Sequence, residues 1–413
     1  MGEISAVGDQ TWMYRAVASN IPLVAIFILN IGAAVIAVFL SSEFVKRDRK
    51  QDTTEVIYVR SMSNASYVLG KAWSILSIFL LVNIAALGLS LIFNALAKDT
   101  YIDWQAFLYY PVLISIPTLV FIIGLSSLMM GIIRNQALTF VLLIGYILSS
   151  LIYIKGSYNY LFDYMAFYQP MFHSQLTGFG DWESIWTLRS MYFCFGLSFL
   201  LISVLLLKRL PQSKLQNILC GVFAIGFLGA GLYLGNQHLT RYYKSVELPE
   251  KMVALNNEYL NAAQIDINDH EILLTQEANG INVEAKITGN ATAESKEFVF
   301  NLNPSLKITE VKVGRKSIEF ERKLQLLLIR FDTLIPERKE VNLSVNYTGR
   351  IDEDAMFIDV DHKVKFERPD DYLFDIGRRY VYVNSNFLLL TQEAQWYLQA
   401  GVGYSTESAS WFR

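Results

Sequence analysis

Six long runs without a charged residue fill most of the first 240 positions. The runs contain no Asp, Glu, Lys or Arg and cover residues 16–42, 72–97, 104–133, 135–154, 190–207 and 215–237. A helix that crosses the hydrocarbon core of a bilayer needs about 20 apolar residues. Six such runs, with almost no amphipathic helix between them, argue against the buried helices of a large soluble protein. The sequence therefore predicts an α-helical polytopic membrane domain with six spans over residues 1–240.

The rest of the chain has a different pattern. From Arg241 onward it carries 21 of the 35 Lys and Arg residues and 27 of the 38 Asp and Glu residues. Apolar and polar residues alternate at 281–287 and again at 341–347, which is typical of half-buried strands, and Asn279-Gly280 is a hairpin signal. The predicted strands are 271–278, 281–287, 298–302, 306–313, 318–320 and 341–347. We expect an all-β antiparallel sandwich domain over residues 261–413, joined to the membrane domain by a helical connector at 241–260.

Composition and motifs exclude several functions. The net charge of −3 gives no basic surface for nucleic acid. The chain has two cysteines, Cys194 and Cys220, both in apolar runs, so no disulfide framework is indicated. The sequence contains neither a G-x-x-x-x-G-K-[ST] phosphate loop nor H-E-x-x-H. We therefore expect no catalytic residues, no metal ligands and no cofactor in this chain.

The loop charges predict an orientation. With the N-terminus outside, the inner segments hold ten basic residues, whereas the outer segments hold Arg15, Lys98, Lys155 and Arg189. The positive-inside rule then places the protein in the cell (inner) membrane as a multi-pass protein, with the C-terminal domain extracytoplasmic. Because residues 1–14 do not resemble a signal peptide, either a span precedes Met1 or the short N-terminus is translocated directly.

Residues 43–71, EFVKRDRKQDTTEVIYVRSMSNASYVLGK, mix both signs of charge on the predicted inner side. Glu43, Arg47, Asp48 and Arg49 continue the first span as a polar helix surface, and a Thr followed by Glu55 is a capping signal. This segment can dock a cytoplasmic partner. The alternative is a solvated charge cluster that only sets orientation.

This segment resembles the cytoplasmic segment of ABC-2-type transporter permeases, although Ser61 stands where that family usually has Pro. The resemblance implies that ten of these residues form an ATPase-coupling loop. The ten residues that carry it are Glu43, Arg47, Asp48, Arg49, Thr53, Glu55, Ser63, Tyr67, Gly70 and Lys71. The resemblance implies a permease subunit of an ATP-driven transporter, and export is the expected direction. Its implied partners are a cytoplasmic ABC ATPase, which binds the ATP, and a second permease copy or homologue.

The C-terminal part resembles the N-terminal β domain of M1-family zinc aminopeptidases. The resemblance rests on residues 301–313 (NLNPSLKITEVKV), 366–374 (FERPDDYLF) and 389–405 (LLTQEAQWYLQAGVGYS). The whole chain is thus similar to an ABC-2 permease fused to an M1 aminopeptidase, and we expect it to be truncated at both ends. The alternative function is a membrane-anchored zinc aminopeptidase whose catalytic, zinc-binding domain follows residue 413. A structural or adhesion protein is a weaker alternative, since one span suffices as an anchor.

Overall fold

The computed structural model describes residues 19–50, 63–96, 102–154, 156–175, 178–207, 214–277, 280–360, 381–384 and 387–403, with the side chains of 42–50 excepted. The chain divides into two compact units. The first extends to Arg241 and the second begins at Tyr242. The first unit is helical and the second contains the antiparallel sheets.

Apolar helices occupy each of the six segments in which spans were predicted. They are α1 (Asn20–Lys50), α2 (Asn64–Leu96), α3 (Trp104–Ile133), α4 (Gln136–Ile152), α5 (Trp182–Leu206) and α6 (Lys214–Glu258). Among the described residues, five of these helices are long and apolar enough to cross a membrane. The helix α4 has 17 residues, which is the lower limit of the roughly 17–25 that a span needs. The helical part is therefore compatible with a membrane protein.

Two helix boundaries differ from the sequence prediction. Helix α5 begins at Trp182 rather than at residue 190, so Arg189 lies inside an apolar helix and not in an outer segment. Helix α6 continues through Pro249 to Glu258, so the last predicted span and the connector form one helix. Apolar run length missed the start of α5, because the buried charge of Arg189 ends a run without ending the helix. It missed the length of α6, because that helix continues into a charged stretch.

A short loop region, residues 156–181, connects α4 to α5. It contains one helical turn, Ser157–Tyr160, and a two-residue strand pair, β1 (His173–Ser174) with β2 (Gly178–Phe179). Tyr158, Asn159 and Tyr160 have positive φ values of 53°, 51° and 65°, a conformation that non-glycine residues rarely adopt. The backbone of this loop is therefore held by its surroundings rather than by regular helix bonding.

The second unit contains two main antiparallel sheets. Its strands are β3 (Ile265–Glu277), β4 (Gly280–Ala291), β5 (Ser295–Asn301), β6 (Lys307–Val313), β7 (Lys316–Ser317), β8 (Phe320–Lys323), β9 (Leu326–Ile335), β10 (Glu340–Gly349), β11 (Val381–Val383), β12 (Leu388–Leu390) and β13 (Gln399–Ala400). The five-stranded sheet has the order β3-β4-β10-β6-β7, and the four-stranded sheet has the order β13-β5-β9-β8. Strands β11 and β12 form a separate pair. The C-terminal antiparallel sheet region predicted from the sequence is thus present.

The alternating strands bury the residues that the pattern selected. Ile281, Val283, Ala285 and Ile287 of β4 are at most 1% exposed. Strand β10 pairs with β4 in antiparallel register, with Val345 opposite Ala285, and its apolar residues join the same core. The two sheets share this core, since Phe298, Phe300, Leu327 and Ile329 of the second sheet belong to the same cluster.

One predicted strand, 318–320, is wrong. Lys316–Ser317 ends the five-stranded sheet, and Phe320–Lys323 opens the four-stranded sheet. Ile318 and Glu319 therefore lie where the chain passes from one sheet to the other. A short alternating pattern does not reveal such a change of sheet.

Asn303 joins two of the segments on which the peptidase resemblance rests. Its side-chain Nδ2 donates to the carbonyl oxygens of Asp352 and Ala394, each at 3.0 Å, and its backbone N–H donates to the Gln395 carbonyl at 2.7 Å. The side chain is fully buried. Residues 301–313 and 389–403 thus pack together, whereas residues 366–374 lie outside the described part of the chain.

Candidate functional site

The ten residues predicted to couple an ATPase divide into three groups. Ser63, Tyr67, Gly70 and Lys71 lie at the start of α2, where backbone and side chains are described. The backbone of Glu43, Arg47, Asp48 and Arg49 is helical, as part of α1, but their side chains lie outside the described residues. Thr53 and Glu55 lie outside them altogether. The structure therefore bears on the Ser63–Lys71 end of the predicted loop.

Ser63 caps α2. Its Oγ accepts a hydrogen bond from the Ser66 backbone N–H at 3.0 Å, and its carbonyl oxygen accepts one from the Tyr67 N–H at 3.0 Å. A serine at this position satisfies a backbone donor that the first helical turn leaves unpaired. The last part of the charged segment therefore forms the capped start of α2.

Asn64, the first residue of α2, connects this start to α5. Its side-chain Nδ2 donates to the carbonyl oxygen of Leu207 at 2.9 Å, and Asn64 is 5% exposed. Sequence reasoning did not select Asn64. A polar Ser-Asn pair before an apolar run is a helix-start signal, but the sequence gives no indication of a partner 143 positions away.

Tyr67 and Lys71 lie one helical turn apart and contact each other. The Lys71 Nζ donates to the Tyr67 hydroxyl at 2.6 Å and lies 4.2 Å from the centroid of the tyrosine ring. Gly70 does not join them, since it is exposed and a Cβ built on it would meet no atom within 4 Å. The structure thus joins the side chains of two of the four described coupling residues.

A cavity of about 120 Å³ opens beside this pair. It is lined by α1, α2, α3, α5 and the residues that end α3 and α5; the lining residues are Ser41, Tyr67, Val68, Lys71, Ala72, Ile75, Ile123, Ser127, Met130, Gly131, Arg134, Ser203, Leu206 and Leu207. Two are cationic, three are serines and most of the rest are apolar. The cavity therefore combines positive charge with an apolar wall.

Arg134 reaches this cavity through the turn between α3 and α4. It adopts the left-handed conformation, with φ 58°, and its backbone N–H donates to the Met130 carbonyl at 3.1 Å. The next residue, Asn135, caps α4 by accepting from the Leu138 N–H at 3.3 Å. This two-residue turn places Arg134 at the end of the helix. In the sequence Arg134 was only a loop charge for the orientation argument.

A buried polar cluster lies in the loop region before α5. The Asp163 carboxylate accepts from the backbone N–H groups of Phe167, Tyr168 and Gln169 at 2.7–3.0 Å. Arg189, which is 1% exposed, donates to the carbonyl oxygens of Asp163 and Tyr164 at 2.6 and 2.8 Å. Burial raises the pKa of the Asp163 carboxyl, while Arg189 and the three N–H donors act in the opposite direction. These bonds fix the path of the loop.

A second buried pair, His173 and Asp103, contacts the start of α3. The His173 Nδ1 lies 2.7 Å from Asp103 Oδ2, and both side chains are 3% exposed. The other carboxylate oxygen accepts from the Gln105 and Ala106 N–H groups at 3.1 and 3.2 Å, which caps α3. Asp103 therefore acts as a helix cap that also orients the imidazole, which is a structural role.

The described residues offer little catalytic chemistry. No group of three or more His, Cys, Asp or Glu side chains among them comes together as a metal site. His173 is occupied by Asp103, and both cysteines are unpaired thiols within helices. The charged cavity beside Tyr67 and Lys71 is accordingly the candidate site of the helical part.

Comparisons with known proteins add a limited likeness. No protein-family model and no curated protein matches the chain. Solved structures of M1 zinc metallopeptidases do match: one from Deinococcus radiodurans has 12% sequence identity and a TM-score of 0.20 over 21% of each chain. A second, bound to a peptide substrate, has 11% identity with the same coverage and TM-score. The chain thus spans about a fifth of the length of these structures.

Proposed function

We propose that this chain is a membrane-spanning permease subunit of an ABC-2-type ATP-driven transporter that carries an extracytoplasmic β domain. The observation that best supports the proposal is the connection between the start of α2 and the rest of the bundle. Within the charged segment 43–71, Ser63 caps α2, and the next residue, Asn64, binds the end of α5. If a partner displaces this segment, α2 and α5 would therefore move together.

The proposal assigns ATP hydrolysis to a separate protein. The chain lacks a phosphate-binding loop, so a separate cytoplasmic ATPase would hydrolyse the ATP. Segment 43–71 would receive it. Since α1 extends to Lys50, this segment would supply the contact through four residues at the end of that helix: Glu43, Arg47, Asp48 and Arg49.

A purified complex tests this proposal. The full chain, isolated in mild detergent from its own membranes, should bring with it an ATP-hydrolysing activity. Replacement of Arg47, Asp48 and Arg49 by Ala should abolish that activity. The matched control replaces Lys307, Glu310 and Lys312 of β6, which have the same charges, and should retain it. Absence of ATP hydrolysis, or full retention in the Arg47, Asp48 and Arg49 variant, would contradict the proposal.

The proposed topology places both ends on the extracytoplasmic side of the membrane. Ten basic residues on the inner side support it, against three on the outer side once Arg189 is assigned to α5. After replacement of both native cysteines, a Glu294→Cys variant in the β domain should react with a membrane-impermeant thiol reagent in intact cells. A Ser66→Cys variant at the start of α2 should react only after permeabilisation. The reverse pattern would overturn the orientation.

The alternative is that the helices chiefly anchor a zinc aminopeptidase. Packing of residues 301–313 against 389–403 through Asn303 favours it, because both segments carry the peptidase resemblance. This alternative predicts zinc and aminopeptidase activity in protein isolated from its native membranes, without a requirement for ATP. Aminopeptidase activity that persists after replacement of Arg47, Asp48 and Arg49 by Ala would favour this alternative.

A further inference from the structure

Two of the described residues that line the cavity carry a positive charge. Lys71 and Arg134 both contribute to its wall, and none of the fourteen described lining residues is acidic. Ser127 adds a hydroxyl group, whereas the Ser41 and Ser203 hydroxyls donate to the carbonyl oxygens of Ala37 and Phe199. Hydroxyls and cations are the groups that bind phosphate oxygens. The lining therefore favours an anion.

Two nearby backbone carbonyls are already hydrogen bonded. The carbonyl oxygen of Met130, near the end of α3, accepts from the Arg134 N–H, and that of Leu207, after α5, accepts from Asn64. Helix C-terminal carbonyls otherwise carry partial negative charge. Their occupation weakens the negative potential at the mouth of the cavity.

The size and surroundings of the cavity select the kind of anion. A single water needs roughly 10–15 Å³, so the ~120 Å³ cavity holds several non-hydrogen atoms but not a long chain. Its wall includes the apolar side chains of Ile75 and Ile123. Trp73 and Ile132 directly follow lining residues in the chain and are 66% and 60% exposed. An occupant with a charged head and an apolar tail fits this combination.

We propose that this cavity binds the phosphate headgroup of an anionic phospholipid, with the acyl chains lying along the apolar outer surface of α2 and α3. Lys71, held by the Tyr67 hydroxyl, and Arg134 bind the phosphate. Basic pockets between membrane helices on the inner side are suited to such lipids. The proposal rests on the helical part lying in a membrane but not on the presence of an ATPase.

Native mass spectrometry of the full chain tests the proposal. Titration with phosphatidylglycerol should produce a bound-lipid adduct, and phosphatidylcholine should not. The double variant Lys71→Gln with Arg134→Gln should weaken phosphatidylglycerol binding about 25-fold, since each cation near the membrane contributes about fivefold. Lys214→Gln, which removes an exposed lysine at the start of α6 outside the cavity, is the matched control and should bind normally.

Further measurements identify the source of the anion and control for misfolding of the variants. Inorganic phosphate should not displace the lipid at equal concentration, and full displacement would overturn the lipid in favour of a soluble anion. Arg134→Lys retains the charge and should keep most of the binding. This variant distinguishes loss of charge from misfolding of the double variant. Equal binding of phosphatidylcholine, or the same loss in Lys214→Gln, would overturn the proposal. Because ATP hydrolysis is not measured, failure here leaves the permease proposal standing.

Discussion

Gly124 on α3 and Gly196 on α5 lie backbone to backbone. A Cβ built on Gly196 would lie 2.6 Å from the backbone nitrogen of Phe121, and one built on Gly124 would collide with the Gly196 carbonyl oxygen. Small residues allow this close approach between membrane helices, where van der Waals packing replaces the hydrophobic effect as the cause of association. The contact fixes α3 against α5, and both helices line the cavity.

Replacement of Gly196 by Ala should therefore lower the free energy of unfolding by about 1–3 kcal/mol, the usual cost of overpacking. The measurement is denaturant-induced unfolding of the purified chain in detergent, followed by helical circular dichroism. Gly145→Ala on α4 is the control, because a Cβ there meets nothing within 4 Å and Ala favours helix. Equal destabilisation by both replacements would contradict the close approach.

Arg189→Ala should destabilise the loop region by about 3 kcal/mol or more, because two charge-assisted hydrogen bonds to buried carbonyls are lost. Limited proteolysis within residues 156–181 should detect the loosened loop. Arg241→Ala is the comparison, since Arg241 pairs with Glu183 at an exposed position, and such pairs contribute about 0–1 kcal/mol. Similar protection of the loop in the two variants would refute the role of Arg189.

Asp103→Ala should cost more stability than Asp181→Ala. Each aspartate caps a helix, Asp103 at α3 and Asp181 at α5, and loss of a cap costs about 1 kcal/mol. Only Asp103 also binds a buried histidine, and an unpaired buried polar group adds about 1–3 kcal/mol. Thermal unfolding of the two variants in the same detergent provides the test, and equal losses would show that the His173 contact contributes nothing.

His270 should make the β domain less stable in mild acid. Burial lowers the pKa of His270, with Asp269 opposing it, so the unfolded chain binds more protons than the folded one as pH falls below about 6.5. The unfolding temperature should then fall between pH 7.5 and 5.5. His270→Phe preserves the ring that contacts Tyr397 and should reduce this pH dependence. An unchanged pH dependence would assign it to other groups.

The alternating strands were predictable, but β9 was not. In β4, buried residues recur at every second position, so the sequence pattern shows the strand directly. In β9, Leu326, Leu327, Leu328 and Ile329 are all at most 1% exposed. Leu327 and Ile329 face the core between the sheets, whereas Leu326 and Leu328 pack with Leu255 and Tyr259 on the opposite face. A strand buried on both faces loses its alternation.

The candidate site was predictable only in part. Tyr67 and Lys71 came from the resemblance to a family segment, and their spacing of four residues places them on one face of a helix. The contributions of Arg134, Ser127 and Ser203 depend on how α3 and α5 pack against α2. No sequence pattern relates positions so far apart in the chain.

The chain's apolar runs and its period-two stretches were enough to place the apolar helices and five of the eleven strands of the second unit, because burial in a helix or a strand leaves a local signature in the order of side chains. The tertiary structure alone decided that Arg189 lies within α5, that Asn64 binds Leu207 and that four helices line a cationic cavity. Each of these depends on groups distant in sequence, whose meeting is determined by packing and by the need to pair buried polar atoms.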